Sequence, residues 1–240
     1  MKTASHCIDK HLSFNDFFSL QTKKEKLDAM HDVRSASSGL FLGSDFVLTA
    51  AHAIEGNQRA KVLYKNFVLD AEVLLRLPEL DVMLLGLTER KFIGKIPKIG
   101  FSDSSLGVGQ KLFGTGFPLP DSINFNSLFY EAAVTRLKID HKPHLFQFSG
   151  ELSQGCSGMS LVNDRCQIVG VAVRKAQKGK SSPDLPNDWN LCIKQEYFYN
   201  AIEKYIPCRS TSPCLRLSAK SIARRLSQAA VVVLGCKKDI

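Results

Sequence analysis

The chain has 240 residues, 44% hydrophobic and 23% charged, enough for one large domain or two small ones around a sizeable core. Its net charge is +9, and residues 207–240 carry +6 of it, with Arg209, Arg216, Lys220, Arg224, Arg225, Lys237 and Lys238 against Asp239. These figures exclude a chain disordered throughout, a collagen and a coiled coil, and no apolar run reaches the roughly 18 residues of a membrane-spanning helix.

Residues 1–34 read as an extension. Within it, SFNDFFSLQTKKEKLDAMHDV fits a helix with Ser13 as N-cap and Phe14, Phe17 and Phe18 on one face, which would dock the extension on the rest. The texture changes at residue 36, where short apolar runs begin to alternate with Gly, Pro, Ser, Asp and Asn. The predicted strands are GLFL (39–42), FVLT (46–49), AKVLY (60–64), FVLDAEVLL (67–75), VMLLGL (82–87), QKLFG (110–114), LFYEAAVTRL (128–137), HLFQF (144–148), MSLV (159–162) and QIVGVAV (167–173). No long helical pattern separates them, so the class is all-β, a sandwich or barrel. After them, IKQEYFYNAIEKYI (193–206) places Tyr197, Ala201, Ile202 and Tyr205 on a helical stripe that Pro207 closes. The remainder, 207–240, is a basic segment. Its amphipathic stretch, LRLSAKSIARRLSQAA, precedes the apolar run VVVLG. The simplest reading is a solvated helix packed on the barrel. The alternative is an anionic membrane surface, met by Arg216, Lys220, Arg224 and Arg225 with Leu215, Leu217, Ile222 and Leu226 on the other side. Nucleic acid is disfavoured, because no aromatic residue is interleaved with these charges.

Seven cysteines, with no CxxC and no Cys/His cluster at zinc spacing, read as mostly reduced thiols, although Cys208 and Cys214 could pair under oxidising conditions. The start, MKTASHCIDKHLSF, has no apolar core of a secretory signal. A cytoplasmic protein is expected; the alternative is an effector exported by a route that uses no cleavable signal.

Three segments carry candidate chemistry. In Ser38-Gly39-Leu40-Phe41-Leu42-Gly43 followed by Phe46-Val47-Leu48-Thr49-Ala50-Ala51-His52, a hairpin delivers His52 to a strand end among small residues. In Leu80-Asp81-Val82-Met83-Leu84-Leu85, one carboxylate precedes a buried strand, and such an acid needs a strong hydrogen-bonding partner. In Gln154-Gly155-Cys156-Ser157-Gly158-Met159, a Gly-x-Ser-Gly turn can aim the N–H groups of residues 155 and 157 at one point beside the Ser157 hydroxyl. Each segment alone is weak evidence, since a lone His, Asp or G-x-S-G is usually structural. Together, they stand in the order His, Asp, Ser.

Thr49-Ala50-Ala51-His52, Leu80-Asp81 and Gly155-Cys156-Ser157-Gly158 resemble the chymotrypsin-fold (trypsin-like) serine proteases, which share that chain order. The spacings, 29 residues from His52 to Asp81 and 76 from Asp81 to Ser157, are similar to those of the compact HtrA/Deg-like protease core, here without a PDZ domain. The resemblance covers about residues 36–175 and extends toward 206. It implies two six-stranded antiparallel β-barrels, over 35–105 and 106–206, with helical segments at both ends of the chain. It also implies a serine endopeptidase acting on protein or peptide substrates without metal or cofactor. Ser157 would be the nucleophile, His52 the general base and Asp81 its orienting acid, with the N–H groups of Gly155 and Ser157 as the oxyanion hole. Gly170 and Ala172 would belong to the substrate-binding edge. Glu151 falls where trypsin-like enzymes place the pocket floor, which would favour Lys or Arg substrates; no His follows His144, which disfavours a Glu or Gln preference. Cys156 replaces the usual Asp before the nucleophile. It is not itself the nucleophile, because that frame would need Gly at 154 and 157. Met159-Ser160 replaces the usual Gly-Pro, a long side chain at a small position. That departure supports the alternative of a catalytically impaired binding module on the same fold.

Overall fold

In the computed structural model, the described residues are 33–236 apart from 55, 57, 66, 89–94, 119–125, 140, 151, 174–189 and 207–214. The helix expected from Ser13 lies outside them, as do Cys208 and Cys214. The strands are β1 (Val33–Phe41), β2 (Phe46–Ala50), β3 (Arg59–Tyr64), β4 (Phe67–Leu77), β5 (Val82–Leu87), β6 (Lys111–Gly116), β7 (Leu128–Arg136), β8 (Leu145–Phe148), β9 (Ser160–Val162), β10 (Ile168–Val173), β11 (Asn190–Lys194) and β12 (Ala230–Cys236). They close into two barrels of six, ordered β1-β12-β3-β4-β5-β2 and β10-β11-β8-β7-β6-β9, with antiparallel pairing throughout. This is the chymotrypsin-like arrangement expected above.

Alternation, shifted by one residue at an irregularity in β10, explains the second barrel. Phe146 and Phe148 of β8, Leu161 of β9, Val169 and Ala172 of β10 and Cys192 of β11 point into its interior. The residues between them, Leu145, Val162, Ile168, Val171, Leu191 and Ile193, join a larger cluster that also holds the interior of the first barrel. The two barrels are therefore glued by one continuous apolar mass, and burial on both faces is why β10 reads as an unbroken apolar run.

Two expectations are corrected here. Residues 207–240 do not lie wholly outside the barrels, because β12 pairs with β1 and β3 and completes the first one. Val231 and Val233 enter the main core, and Val232 and Leu234 pack on the other face with Leu63, so the strand is buried on both sides. The helix preceding it, α2 (Ala219–Ser227), is capped by Ser218, whose Oγ accepts from the Ser221 N–H. Its Ile222 and Leu226 are fully buried. Of the apolar face that a membrane-surface reading requires, Ile222 and Leu226 are thus turned into the protein, while Leu215 is exposed. The second correction concerns residues 193–206. Pairing with β8 and β10 carries β11 to Lys194, and only a 3-10 turn (Gln195–Tyr197) and the short α1 (Tyr199–Ile202) follow. The buried pair is Phe198 and Ile202 at i, i+4, while Tyr197 is exposed, so the expected stripe begins one residue too early. Among the described residues, no helix is long and apolar enough to cross a membrane.

Candidate active site

Strand register brings His52 to Asp81. β2 and β5 pair so that Ala50 lies opposite Val82, and the residues beyond those ends must meet. The chain leaves β2 through a 3-10 turn (Ala51–Ile54) and enters β5 from another (Pro78–Leu80). Asp81 has left-handed backbone, φ 52° and ψ 37°, a region that Asp tolerates better than most residues. Its N–H donates to the Pro78 carbonyl at 3.1 Å, and its carbonyl accepts from Ala51 N–H at 3.0 Å. The carboxylate then holds His52 twice, through the backbone N–H to Oδ1 at 2.9 Å and the ring Nδ1 to Oδ2 at 2.6 Å. With Nδ1 as the donor, Nε2 is left as an acceptor. The two side chains are 34% and 33% exposed, so the pair is sheltered but open to a substrate.

Ser157 reaches the same seam through a turn clamped from two sides. Gly155 and Gly158 have φ of 92° and 85°, where a side chain is strained. Behind the turn, Gly158 N–H donates to the Ala172 carbonyl and Ala172 N–H to the Met159 carbonyl, both at 2.8 Å. In front of it, Ser38 of β1 donates its N–H to the Ser157 carbonyl and its Oγ to the Gly155 carbonyl, both at 2.8 Å. A Cβ built on Gly158 would lie 2.2 Å from the Ser38 carbonyl oxygen and 2.8 Å from Ala50 N, so this glycine is pressed against β2 two residues before His52. Among the described residues, the Ser157 hydroxyl makes no hydrogen bond to the His52 ring, and the N–H groups of Gly155 and Ser157 have no acceptor. Catalytic hydrogen bonds of this kind commonly tighten only when substrate is bound.

The two departures from the family pattern are both absorbed inside the second barrel. Cys156 is buried and shares a 3.0 Å hydrogen bond with the Tyr130 hydroxyl. Burial pushes its thiol pKa up, which disfavours the thiolate and leaves Cys156 a structural residue. Met159 is fully buried in the second core. It occupies room that β6 leaves open at Gly114, where an added Cβ would lie 2.8 Å from the methionine Sδ. A long side chain here therefore fills the barrel instead of displacing the turn.

The other assigned residues fare differently. Gly170 and Ala172 are buried. The Cβ position of Gly170 is filled by the Ile193 carbonyl, and both backbone groups of Ala172 are used on the nucleophile turn. Ala172 braces the turn, and Gly170 lies where β10 runs between β9 and β11. Glu151 lies outside the described residues. Ser38 and Thr49 stand within the motifs but carry no assigned role there, and they build the site, with Thr49 Oγ1 donating to the Ser38 carbonyl at 2.7 Å. Thr49 is the one polar residue of β2, whereas Ser38 stands among other polar residues of β1. Among the described residues, no three His, Cys, Asp or Glu side chains gather as a metal site.

The pattern of the trypsin-like peptidase domain matches residues 37–171, more than half of the chain and the stretch that contains His52, Asp81 and Ser157. The chain belongs to that family. Among solved structures it is similar to the inactive form of the Rv3671c protease, with 17% identity, 78% of this chain and 95% of that one covered, and a TM-score of 0.53. An inactive serine-to-alanine mutant of Rv3671c from M. tuberculosis H37Rv gives 18% identity, 75% and 84% coverage and the same TM-score. The serine endoprotease from Yersinia pestis gives 16% identity, 76% and 66% coverage, again with a TM-score of 0.53. At these identities the likeness speaks for the fold. No curated protein matches the chain.

Proposed function

We propose that the chain is a serine endopeptidase that hydrolyses protein or peptide substrates through an acyl-enzyme. The observation that carries this reading is the double clamp of Asp81 on His52, at the seam to which the Ser157 turn is tied. Ser157 Oγ attacks the scissile carbonyl while His52 Nε2 takes its proton. Asp81 holds the Nδ1 proton and stabilises the imidazolium that forms. The carbonyl oxygen becomes an oxyanion within reach of the N–H groups of Gly155 and Ser157, each such donor contributing roughly 10²–10³ in rate. The tetrahedral adduct collapses, the C–N bond breaks, and the departing amine takes the proton from His52. Water then enters and attacks the acyl carbon while His52 takes its proton; the C–Oγ bond breaks, Ser157 Oγ recovers that proton from His52, and the acid leaves.

A fluorophosphonate probe tests this reading. Wild type is expected to become labelled, Ser157→Ala to lose all labelling, and Asp81→Asn to label about 10⁴-fold more slowly while remaining folded. A folded wild type that stays inert to the probe, or labelling that survives Ser157→Ala, removes the proposal. Met159, the departure that motivates the binding-module reading, has its side chain buried in the second core.

A further inference from the structure

We infer that Ser38 is a positioning residue for the oxyanion-binding turn, an inference that rests on the peptidase reading above. Ser38 is fully buried in β1, on the opposite barrel from the turn it contacts. Its three polar groups are all engaged, in four hydrogen bonds. The N–H donates to the Ser157 carbonyl at 2.8 Å, and the Oγ donates to the Gly155 carbonyl at 2.8 Å. The Oγ also accepts from Phe117 N–H at 2.8 Å, and the Ser38 carbonyl accepts from Thr49 Oγ1 at 2.7 Å.

What these bonds fix follows from peptide planarity. The Gly155–Cys156 peptide is held at its oxygen by Ser38 Oγ and at its nitrogen by the Ser153 carbonyl, 3.1 Å away. The Ser157–Gly158 peptide is held at its oxygen by Ser38 N–H and at its nitrogen by the Ala172 carbonyl. The peptide between them carries the Ser157 N–H, and its own carbonyl accepts from Met159 N–H at 3.0 Å. Ser38 thus anchors the planes on both sides of the oxyanion donor. It also anchors Gly155, the residue whose glycine backbone has the greatest freedom to turn its N–H away. The Oγ further ties the turn to Phe117, just past the end of β6. One hydroxyl therefore registers the nucleophile turn against the barrel that holds His52 and Asp81.

The variant Ser38→Ala keeps the N–H and removes only the Oγ bonds. The full chain is assayed with a fluorophosphonate probe and with phenylboronic acid, whose tetrahedral adduct places an oxygen where the oxyanion forms. The expected result is a maximal labelling rate reduced roughly 10- to 100-fold, below the 10²–10³ of a lost oxyanion donor. Probe concentration at half-maximal rate is expected to be unchanged, as is the pH midpoint of labelling set by His52. Boronate affinity is expected to fall by the same factor as the rate. Ser38→Cys, nearly the same size with a weak hydrogen-bonding thiol, is expected to behave alike and serves if the alanine variant does not fold. Ser38→Thr, which keeps the hydroxyl, restores the rate. A folded alanine or cysteine variant with lowered melting temperature but wild-type labelling rate and boronate affinity overturns the inference and leaves Ser38 a structural residue. A wild type inert to the probe overturns the peptidase reading first, and this inference with it.

Discussion

The two barrels are built to the same plan from differently distributed sequence. The second draws all six strands from one stretch, Lys111 to Lys194, and carries Ser157 on the turn before β9. The first takes five strands from residues 33–87 and its sixth from 230–236, and carries His52 and Asp81. His52 and Asp81 therefore sit in the half that depends on a distant segment. The dependence is direct. Phe41 N–H donates to the Ala229 carbonyl at 2.9 Å, and the Tyr64 hydroxyl to the Gln228 carbonyl at 2.9 Å, which fixes the entry of β12. At its far end Gly235 is pressed against the carbonyl of Ala53, the residue after His52, which also accepts from Ser35 Oγ.

The largest expected effect comes from breaking that asymmetry. Deleting residues 230–240, or introducing Val233→Asp, leaves β1 and β3 with open edges and a breach in the core. Cooperative thermal unfolding and fluorophosphonate labelling are both expected to disappear. A truncated chain that still melts cooperatively and labels at the wild-type rate would show that the first barrel holds without its sixth strand.

A smaller effect tests the second barrel on its own. Met159→Ala empties a fully buried site and is expected to cost about 2–5 kcal/mol in denaturant unfolding. Gly114→Ala pushes a Cβ against the same Sδ and is expected to destabilise as well. The double variant is expected to be more stable than the sum of the two losses, because the added methyl enters the vacated space. Strict additivity would mean that the glycine and the methionine are not a fitted pair.

The smallest effect concerns the neutral latch beside the nucleophile. Burial, first, and their mutual hydrogen bond push the Tyr130 phenol above its ordinary value of 10.0, and burial pushes the Cys156 thiol above 9.0. Both groups bind their protons more tightly folded than unfolded. Their contribution is therefore complete below pH 9.0 and is lost as pH rises past the unfolded values. Tyr130→Phe is expected to lower stability by about 1 kcal/mol at neutral pH and to make the alkaline decline shallower. An alkaline limb identical to wild type would remove Tyr130 as its source.

Nine of the ten strands between residues 33 and 173 were legible as short apolar runs bounded by turn residues; β1 was legible only from Gly39, because its first half, VRSASS, is polar, and two of the twelve strands were not legible at all. β11 runs straight into a sequence that mimics a helical stripe, and β12 follows an amphipathic helix whose basic face draws attention to charge. Neither local pattern reveals pairing with strands far away in the chain. His52, Asp81 and Ser157 were readable from short motifs, since their neighbours must be small or glycine for the turns to form. Gly170 and Ala172 lie in a run buried on both faces, where the sequence does not announce which residues meet solvent. Ser38 was quoted within a motif but its part was invisible, because its partners are backbone carbonyls in the other barrel.

The placement of β12 also sets an order of events during synthesis. β1 to β5 leave the ribosome first, yet the space between β1 and β3 stays vacant until some 140 further residues have been made. The second barrel can be complete by then. A nascent chain would therefore hold the strands of the second barrel before the half that bears His52 is sealed, and Ser38, which ties the two halves together, sits on the strand that waits for β12.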